Sequence, residues 1–317
     1  MPVARALAGP VSWVWTRATA RRLARARPVD PGVPVVCVGN LTVGGSGKTP
    51  LVLALVARLS AAGRRPHILS RGYGGRLRGP LRVDPHVHTA ADVGDEALMM
   101  AARAPVWIAR DRAAGAAAAA QAGADPIIMD DGHQNPSVRK TLSLVVVDGE
   151  TRDDEWPFGD GAVFPAGPMR EPLDVGLARA DAVSLLLPAD VAEADGALLA
   201  LLKTKPVLIA RLTPTSPPPP GPQVGFAGIA KPWKVERALK AAGCDLVDFA
   251  PLADHAAISE TTLRFLADRA AALGAGLITT EKDWVRLSPA WRARVTVWPV
   301  EAVFEDETAL LALIEDR

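Results

Sequence analysis

The sequence predicts an α/β protein: a P-loop NTPase-type parallel sheet in an α/β/α sandwich, a second, smaller α/β/α lobe, and a two-stranded linker joining them. Three observations carry that expectation. The apolar run from Val35 to Val38 enters a glycine-rich turn, GNLTVGGSGKTP, and leaves it as a periodic apolar helix, LVLALVARL. Strand-like and helix-like runs then alternate through residue 188, the pattern of a parallel sheet with crossover helices. Beyond a proline-rich spacer, TPTSPPPPGPQ, the alternation resumes on a smaller scale.

The chain has 317 residues, 49% hydrophobic and 22% charged, which suits about two folded domains rather than a disordered or polytopic membrane protein. A net charge of +1 argues against a nucleic-acid binder with a wholly basic surface. Cys37 and Cys244 lie in apolar runs without C-x-x-C spacing, so neither a disulfide framework nor a zinc site is expected and a reducing compartment fits. No stretch reaches the roughly 18 continuous apolar residues of a spanning helix, and no signal peptide is expected.

In chain order, residues 1–30 come first. Arginines stand at 5, 17, 21, 22, 25 and 27 with no acid before Asp30, beside Leu7, Val11, Trp13, Val14 and Trp15. A basic, amphipathic segment of this kind suits an anionic membrane surface. A helix simply docked on the domain fits as well.

Residues 31–204 read as the P-loop domain. In the turn, Thr42, Val43, Gly44, Gly45, Ser46, Gly47, Lys48 and Thr49 form the candidate nucleotide loop. Glycines let the backbone N–H groups approach an anion, Lys48 reaches the β- and γ-phosphates, and Thr49 holds Mg²⁺. Thr42 stands where the strict G-x-x-x-x-G-K-[ST] pattern has glycine. The strand from His67 to Leu69 ends in a glycine-rich loop that places Arg71 and Tyr73 on the ligand side of a parallel sheet. Asp95 and Glu96 open the helix of DVGDEALMMAAR, as dipole complements or as carboxylates near the nucleotide. Arg110 and Arg112 sit at the next strand-to-helix junction. PIIMDDGHQN ends an apolar strand in Asp130 and Asp131, a Walker B arrangement whose paired acids call for a cation. Arg170 and Glu171, between prolines in FPAGPMREP, read equally as ligand contacts or as a solvated turn.

Residues 205–222 form the proline-rich linker with its strand, 223–290 the second lobe, and 291–317 the return strand and C-terminal helix. RVTVWPVEAVF is expected to pair beside residues 205–212. His255, next to Asp254, is an ordinary surface histidine or the partner of a general base.

The ordered set VGNLTVGGSGKTP, LSRGYGG, VGDEA, DDGHQN, FPAGPMREP, GIAKP, ADH and TTEKD resembles the tetraacyldisaccharide 4′-kinase (lipid A 4′-kinase) family from about residue 5 onward. GGSGKTP alone matches many ATPases; the ordered set is far more specific. The resemblance implies ATP- and Mg²⁺-dependent transfer of a phosphoryl group to the 4′-hydroxyl of a tetraacyl glucosamine disaccharide 1-phosphate. It further implies a peripheral protein on the cytoplasmic face of the bacterial inner membrane. By motif match, Asp95 corresponds to the catalytic carboxylate, His255 to its supporting histidine, Lys48 and Thr49 to the nucleotide loop, and Asp130 and Asp131 to the metal-binding acids. The chain departs from the usual family pattern at Ala97, at His133 and Asn135 within DDGHQN, and at Ala256. Arg71, Arg112 and Arg170 are left as candidates for the substrate's 1-phosphate or the migrating phosphoryl group. Competing readings are a soluble small-molecule P-loop kinase and a nucleotide-binding membrane adapter or switch without kinase activity.

Overall fold

The computed structural model describes residues 2–150, 156–254 and 256–315, with side chains from residue 8 onward. Among these residues thirteen strands follow in chain order: β1 (Val35–Asn40), β2 (His67–Ser70), β3 (Leu81–Arg82), β4 (Val106–Ile108), β5 (Ile127–Asp130), β6 (Leu142–Asp148) and β7 (Ala182–Pro188), then β8 (Val207–Pro214), β9 (Gln223–Ala227), β10 (Leu246–Pro251), β11 (Gly276–Thr279), β12 (Val295–Val297) and β13 (Val300–Phe304). Nine of them form one sheet in the order β13-β8-β7-β6-β1-β5-β2-β4-β3. Every pair in it is parallel except the two edge pairs, β13 with β8 and β3 with β4.

Alternation along β1 explains the sandwich. Val36 and Val38 point to one face, into a core with Leu51, Val52, Leu55 and Leu59 of the helix Lys48–Ala61. Val35 and Cys37 point to the other, against Ala116 and Ala119 of the helix Arg112–Gln121. Because side chains on a strand alternate while both faces carry helices, the central strands are buried on both faces and largely apolar, with polar residues chiefly at their ends. All six residues of β1 are buried.

A smaller, fully parallel sheet, β10-β9-β11-β12, makes the second lobe around Val224, Phe226, Leu263, Leu266 and Trp291. Sequence reading closed this lobe at 290, but β12 pairs with β11 at 295–297, so the small sheet runs past that boundary. A three-residue strand ending at a Trp-Pro dipeptide carries too short an apolar pattern to be assigned to one sheet rather than the other. β8 and β13 pair antiparallel while β8 also continues the large sheet through β7.

The parallel order brings the carboxyl ends of β1, β2 and β5 side by side. The second lobe turns the carboxyl end of β9 toward them. Ala230, in the turn after β9, packs on the P-loop, 3.3 Å from where a Cβ on Gly45 would stand.

Candidate active site

The P-loop leaves β1 at Asn40. Gly44 and Gly47 have φ of 102° and 74°, values that an L side chain rarely adopts, and Gly47 caps the helix Lys48–Ala61. A Cβ on Gly47 would also collide with Leu186. The loop is bound to the FPAGPMREP segment, which folds back on it: Val43 N–H donates to the Pro168 carbonyl at 2.7 Å, and Arg170 N–H to the Leu41 carbonyl at 2.8 Å. That backbone tie carries the Arg170 guanidinium to the Thr42 carbonyl at 2.9 Å and to Asp131 Oδ1 at 2.8 Å.

Lys48 extends to Asn40 Oδ1 at 3.2 Å and lies 3.5 Å from Asp131 Oδ1. Asp131 has φ of 51°, the one non-glycine left-handed residue among the described residues. Strain of that kind persists where the surroundings over-determine it, and two cations here hold the Asp131 carboxylate. Burial pushes the Asp131 carboxyl up, but Lys48 and Arg170 outweigh it and keep it below its ordinary value. Asp130 behaves oppositely. It is buried, accepts from Ser70 Oγ at 3.1 Å, and is pushed up to about 7 by desolvation and by the charges of Glu96 and Asp131.

Asp95, the first residue of the helix Asp95–Ala101, is 6% exposed, and its Oδ1 accepts from Glu96 N–H at 2.8 Å. Gly94 precedes it at φ 90°, where a Cβ would run into the Tyr73 carbonyl, so the helix start and the LSRGYGG loop lie in direct backbone contact. Arg71 and Tyr73 are exposed on that loop. Glu96 meets Lys282 of the second lobe at 3.4 Å.

Two predicted ligands turn inward instead. Arg112 is 3% exposed and donates to the carbonyls of Leu69 at 2.9 Å and Asp130 at 3.1 Å. Its guanidinium fastens the ends of β2 and β5 together and is not presented to the cleft. Glu171 is 2% exposed and accepts from Arg179 at 2.7 Å and Gln134 at 2.9 Å. His133 of DDGHQN is also interior, bonded to Ser143 Oγ and the Gly176 carbonyl, and pushed down to about 4 by burial, Arg179 and Lys140. His255 lies outside the described residues.

Asn40, Ser70 and Gln134, which sequence reasoning did not single out, belong to the same network; Gln134 donates to the Asn40 carbonyl at 2.9 Å. Asn40 and Ser70 had one available signal, their position at the carboxyl ends of strands.

The site fits a nucleotide with its cation. The Ser46 hydroxyl is buried in the P-loop without a hydrogen-bond partner among the described residues, and the charges of Glu96 and Asp131 crowd Asp130. No group of three His, Cys, Asp or Glu side chains among the described residues could hold a metal alone. Mg²⁺ is commonly held by one or two carboxylates plus substrate phosphates, so that sparse set is the expected one.

The model of the family described as tetraacyldisaccharide-1-P 4′-kinase matches residues 4–317. The chain belongs to that family. A tetraacyldisaccharide 4′-kinase of Phenylobacterium zucineum is 66% identical over 99% of this chain and 94% of the relative. Those of Caulobacter vibrioides and Maricaulis maris are 67% and 52% identical, over 99% of this chain and 94% and 91% of the relatives. Among solved structures, an "apo"-form LpxK of Aquifex aeolicus in complex with ATP superposes with a TM-score of 0.75 at 24% identity, covering 99% of both chains. At that identity the likeness establishes the shared fold, a P-loop kinase type of α/β protein.

Proposed function

We propose that the chain transfers the γ-phosphoryl group of ATP to the 4′-hydroxyl of a tetraacyl glucosamine disaccharide 1-phosphate, a step of lipid A biosynthesis. What carries the reading is the match of one kinase family to residues 4–317, in a chain where Lys48 lies 3.5 Å from Asp131 just past the end of β5 and Asp95 opens a helix whose cap, Gly94, touches the loop after β2. The 4′ oxygen bonds to the γ-phosphorus as the bond to the β-phosphate oxygen breaks. ADP leaves with that electron pair, and Asp95 accepts the hydroxyl proton. His255, which follows Asp254, orients Asp95.

Phosphoryl transfer needs alignment and charge neutralisation more than covalent help. Lys48 and the N–H groups of residues 44–49 take the β- and γ-phosphate charge. Thr49, Asp130 and Asp131 would hold Mg²⁺, which would neutralise charge on the same phosphates. Arg170, fixed between the Thr42 carbonyl and Asp131, borders the transferred group, while Arg71 and Tyr73 meet the acceptor from their exposed loop. The ring of exposed Val11, Trp13 and Val14 on the N-terminal helix seats the protein on the cytoplasmic face of the inner membrane. No helix among the described residues is long and apolar enough to cross it.

The test is incubation with ATP, Mg²⁺ and the tetraacyl disaccharide 1-phosphate, read by mass spectrometry. The expected product is heavier by one phosphate; an unchanged acceptor would sink the reading. Asp95→Asn is expected to lower kcat by about 10²–10⁴-fold, the range of general-base catalysis.

A further inference from the structure

The TTEKD segment has no part in the chemistry above, yet it carries the contact between the lobes that lies beside Asp95. Its helix, Glu281–Trp284, lies against the helix Asp95–Ala101, and three ion pairs join the two segments. Glu281 pairs with Arg103 at 2.5 Å, Lys282 with Glu96 at 3.4 Å, and Arg286 Nε stands 4.0 Å from Asp95 Oδ2. The first two are partly solvated. The third is not: the side chains of Arg286 and Asp95 are 8% and 6% exposed.

Arg286 is held rigidly on its own side. Nη1 donates to the Ala256 carbonyl at 2.9 Å and Nη2 to the Gly228 carbonyl at 3.0 Å, and Nη2 also meets Asp283. Asp283 is fully buried and accepts the Gly228 N–H at 3.1 Å and the Thr280 hydroxyl at 2.7 Å. Both ends of the guanidinium fork are therefore spent on the turn after β9, on Asp283 and on the Ala256 carbonyl. Only Nε is left, buried and without a hydrogen-bond partner among the described residues. A buried donor without an acceptor is costly, and this one is a fraction of an ångström beyond bonding distance from the Asp95 carboxylate.

The same turn that Arg286 grips carries Ala230 onto Gly44 and Gly45 of the P-loop. One side chain thus reports the seating of the second lobe over the phosphate loop to the carboxylate beside it. We propose that Arg286 is a positioning residue that engages Asp95 through Nε when the second lobe seats on the loaded P-loop, aligning that carboxylate to receive the acceptor's proton. This rests on Asp95 as the proton acceptor. Lysine cannot replace it, because one ammonium cannot grip two carbonyls and Asp283 while still presenting a donor to Asp95.

The test uses the full chain with ATP, Mg²⁺ and the lipid acceptor. Arg286→Lys is expected to lower kcat about tenfold or more, and Arg286→Gly about a hundredfold, the scale of a 1 Å misplacement, with KM for ATP changed less than threefold. Millimolar guanidinium is expected to restore part of kcat to Arg286→Gly, and methylammonium is not. Should removal of the cation beside buried Asp283 unfold the protein, the double variant Arg286→Gln, Asp283→Asn removes both charges and is read for the same loss of kcat at constant KM. Wild-type kcat in Arg286→Lys or in the double variant, a change confined to KM, or absence of guanidinium rescue each overturns the proposal. Asp95→Asn, run in parallel, separates the two failures. An active Asp95→Asn removes the Asp95 reading and this one with it, whereas an inactive Asp95→Asn beside wild-type Arg286 variants removes this one alone.

Discussion

Asp130 holds the most strained charge of the site. Desolvation and the neighbouring Glu96 and Asp131 raise it to about 7, whereas an unfolded aspartate titrates near 3.9. Between those values the folded protein binds a proton that the unfolded chain has released, so stability falls as pH rises across the window. Asp130→Asn removes the slope. Its melting temperature is expected to match or exceed wild type, with the gap widening from pH 4.5 to pH 8. On the proposal that Asp130 holds Mg²⁺, the ion competes with the same proton and is expected to narrow the gap at pH 8 by stabilising wild type and not the variant. Differential scanning fluorimetry with and without Mg²⁺ checks both; parallel melting curves across pH would contradict the account. At this scale the sequence was legible in placement: Lys48, Asp130 and Asp131, read from motif spacing, lie together where β5 ends, with Lys48 3.5 Å from Asp131. It was not legible where one side chain's direction decides. Arg112 sits at a strand-to-helix junction like a ligand, yet it donates to two main-chain carbonyls. Asn40 and Ser70 carry no periodicity that could announce them.

The N-terminal helix, Pro2–Arg25, illustrates the same limit one scale up. The two readings its sequence left open are compatible. Ala8, Ser12, Thr16, Thr19 and Leu23, three or four residues apart, are the partly or fully buried positions, whereas Val11, Trp13, Val14 and Trp15 are 46–59% exposed. Apart from Leu23, small and polar residues dock, while Val11, Trp13 and Val14 face outward. Ser12 Oγ donates to the Val163 carbonyl at 2.8 Å and accepts from Ala166 N–H at 3.1 Å, while Trp15 Nε1 donates to the Arg170 carbonyl at 3.1 Å. A pattern that equates apolar with buried assigns such a helix the wrong inner face. Ser12→Val removes the hydroxyl's bonds to the Val163 carbonyl and the Ala166 N–H, which still pair with each other at 3.0 Å, so the cost is about 0.5–1.5 kcal/mol per lost bond and the melting temperature is expected to fall by a few degrees. Val11→Ser with Trp13→Ser and Val14→Ser is expected to leave it unchanged while reducing co-sedimentation with anionic vesicles. Vesicle binding equal to wild type in the triple variant would contradict an outward apolar face that meets lipid. Trp15 ties this helix to the backbone of Arg170, so the helix with the outward apolar residues and the arginine beside Asp131 share one loop.

Across the whole molecule, ion pairs line two stretches of the contact between the lobes, beside an apolar contact in which Val285 packs on the core of the large lobe. The carboxyl end of β6 offers Asp148 and Glu150 to the helix Pro232–Ala241: Lys231 lies 3.4 Å from Asp148, Lys234 pairs with Asp148 and stands 3.4 Å from Glu150, and Arg237 reaches Glu150 at 2.5 Å and Asp190 at 2.8 Å. The Asp148 and Glu150 side chains are 12% and 11% exposed, so these contacts are less screened than surface pairs, though more than interior ones. The other stretch, at Arg103, Glu96 and Asp95, is ionic too. A wholly apolar interface would hold the lobes together in any salt; the ion pairs of this one weaken as ions screen them. The turn pressed on Gly44 and Gly45 is carried by the helix that the β6 pairs anchor, so loosening those pairs lifts the turn from the phosphate loop. Accordingly kcat/KM for ATP is expected to fall as KCl rises from 50 to 500 mM. Salt also screens the nucleotide's own charge, which makes the wild-type slope alone ambiguous. Asp148→Asn resolves it, because this residue touches the second lobe and not the P-loop. The variant is expected to start about three- to tenfold lower at 50 mM KCl and to lose less with added salt, so that the two lines converge at 500 mM. Parallel lines would mean that the ion pairs at the end of β6 do not govern how the second lobe covers the nucleotide.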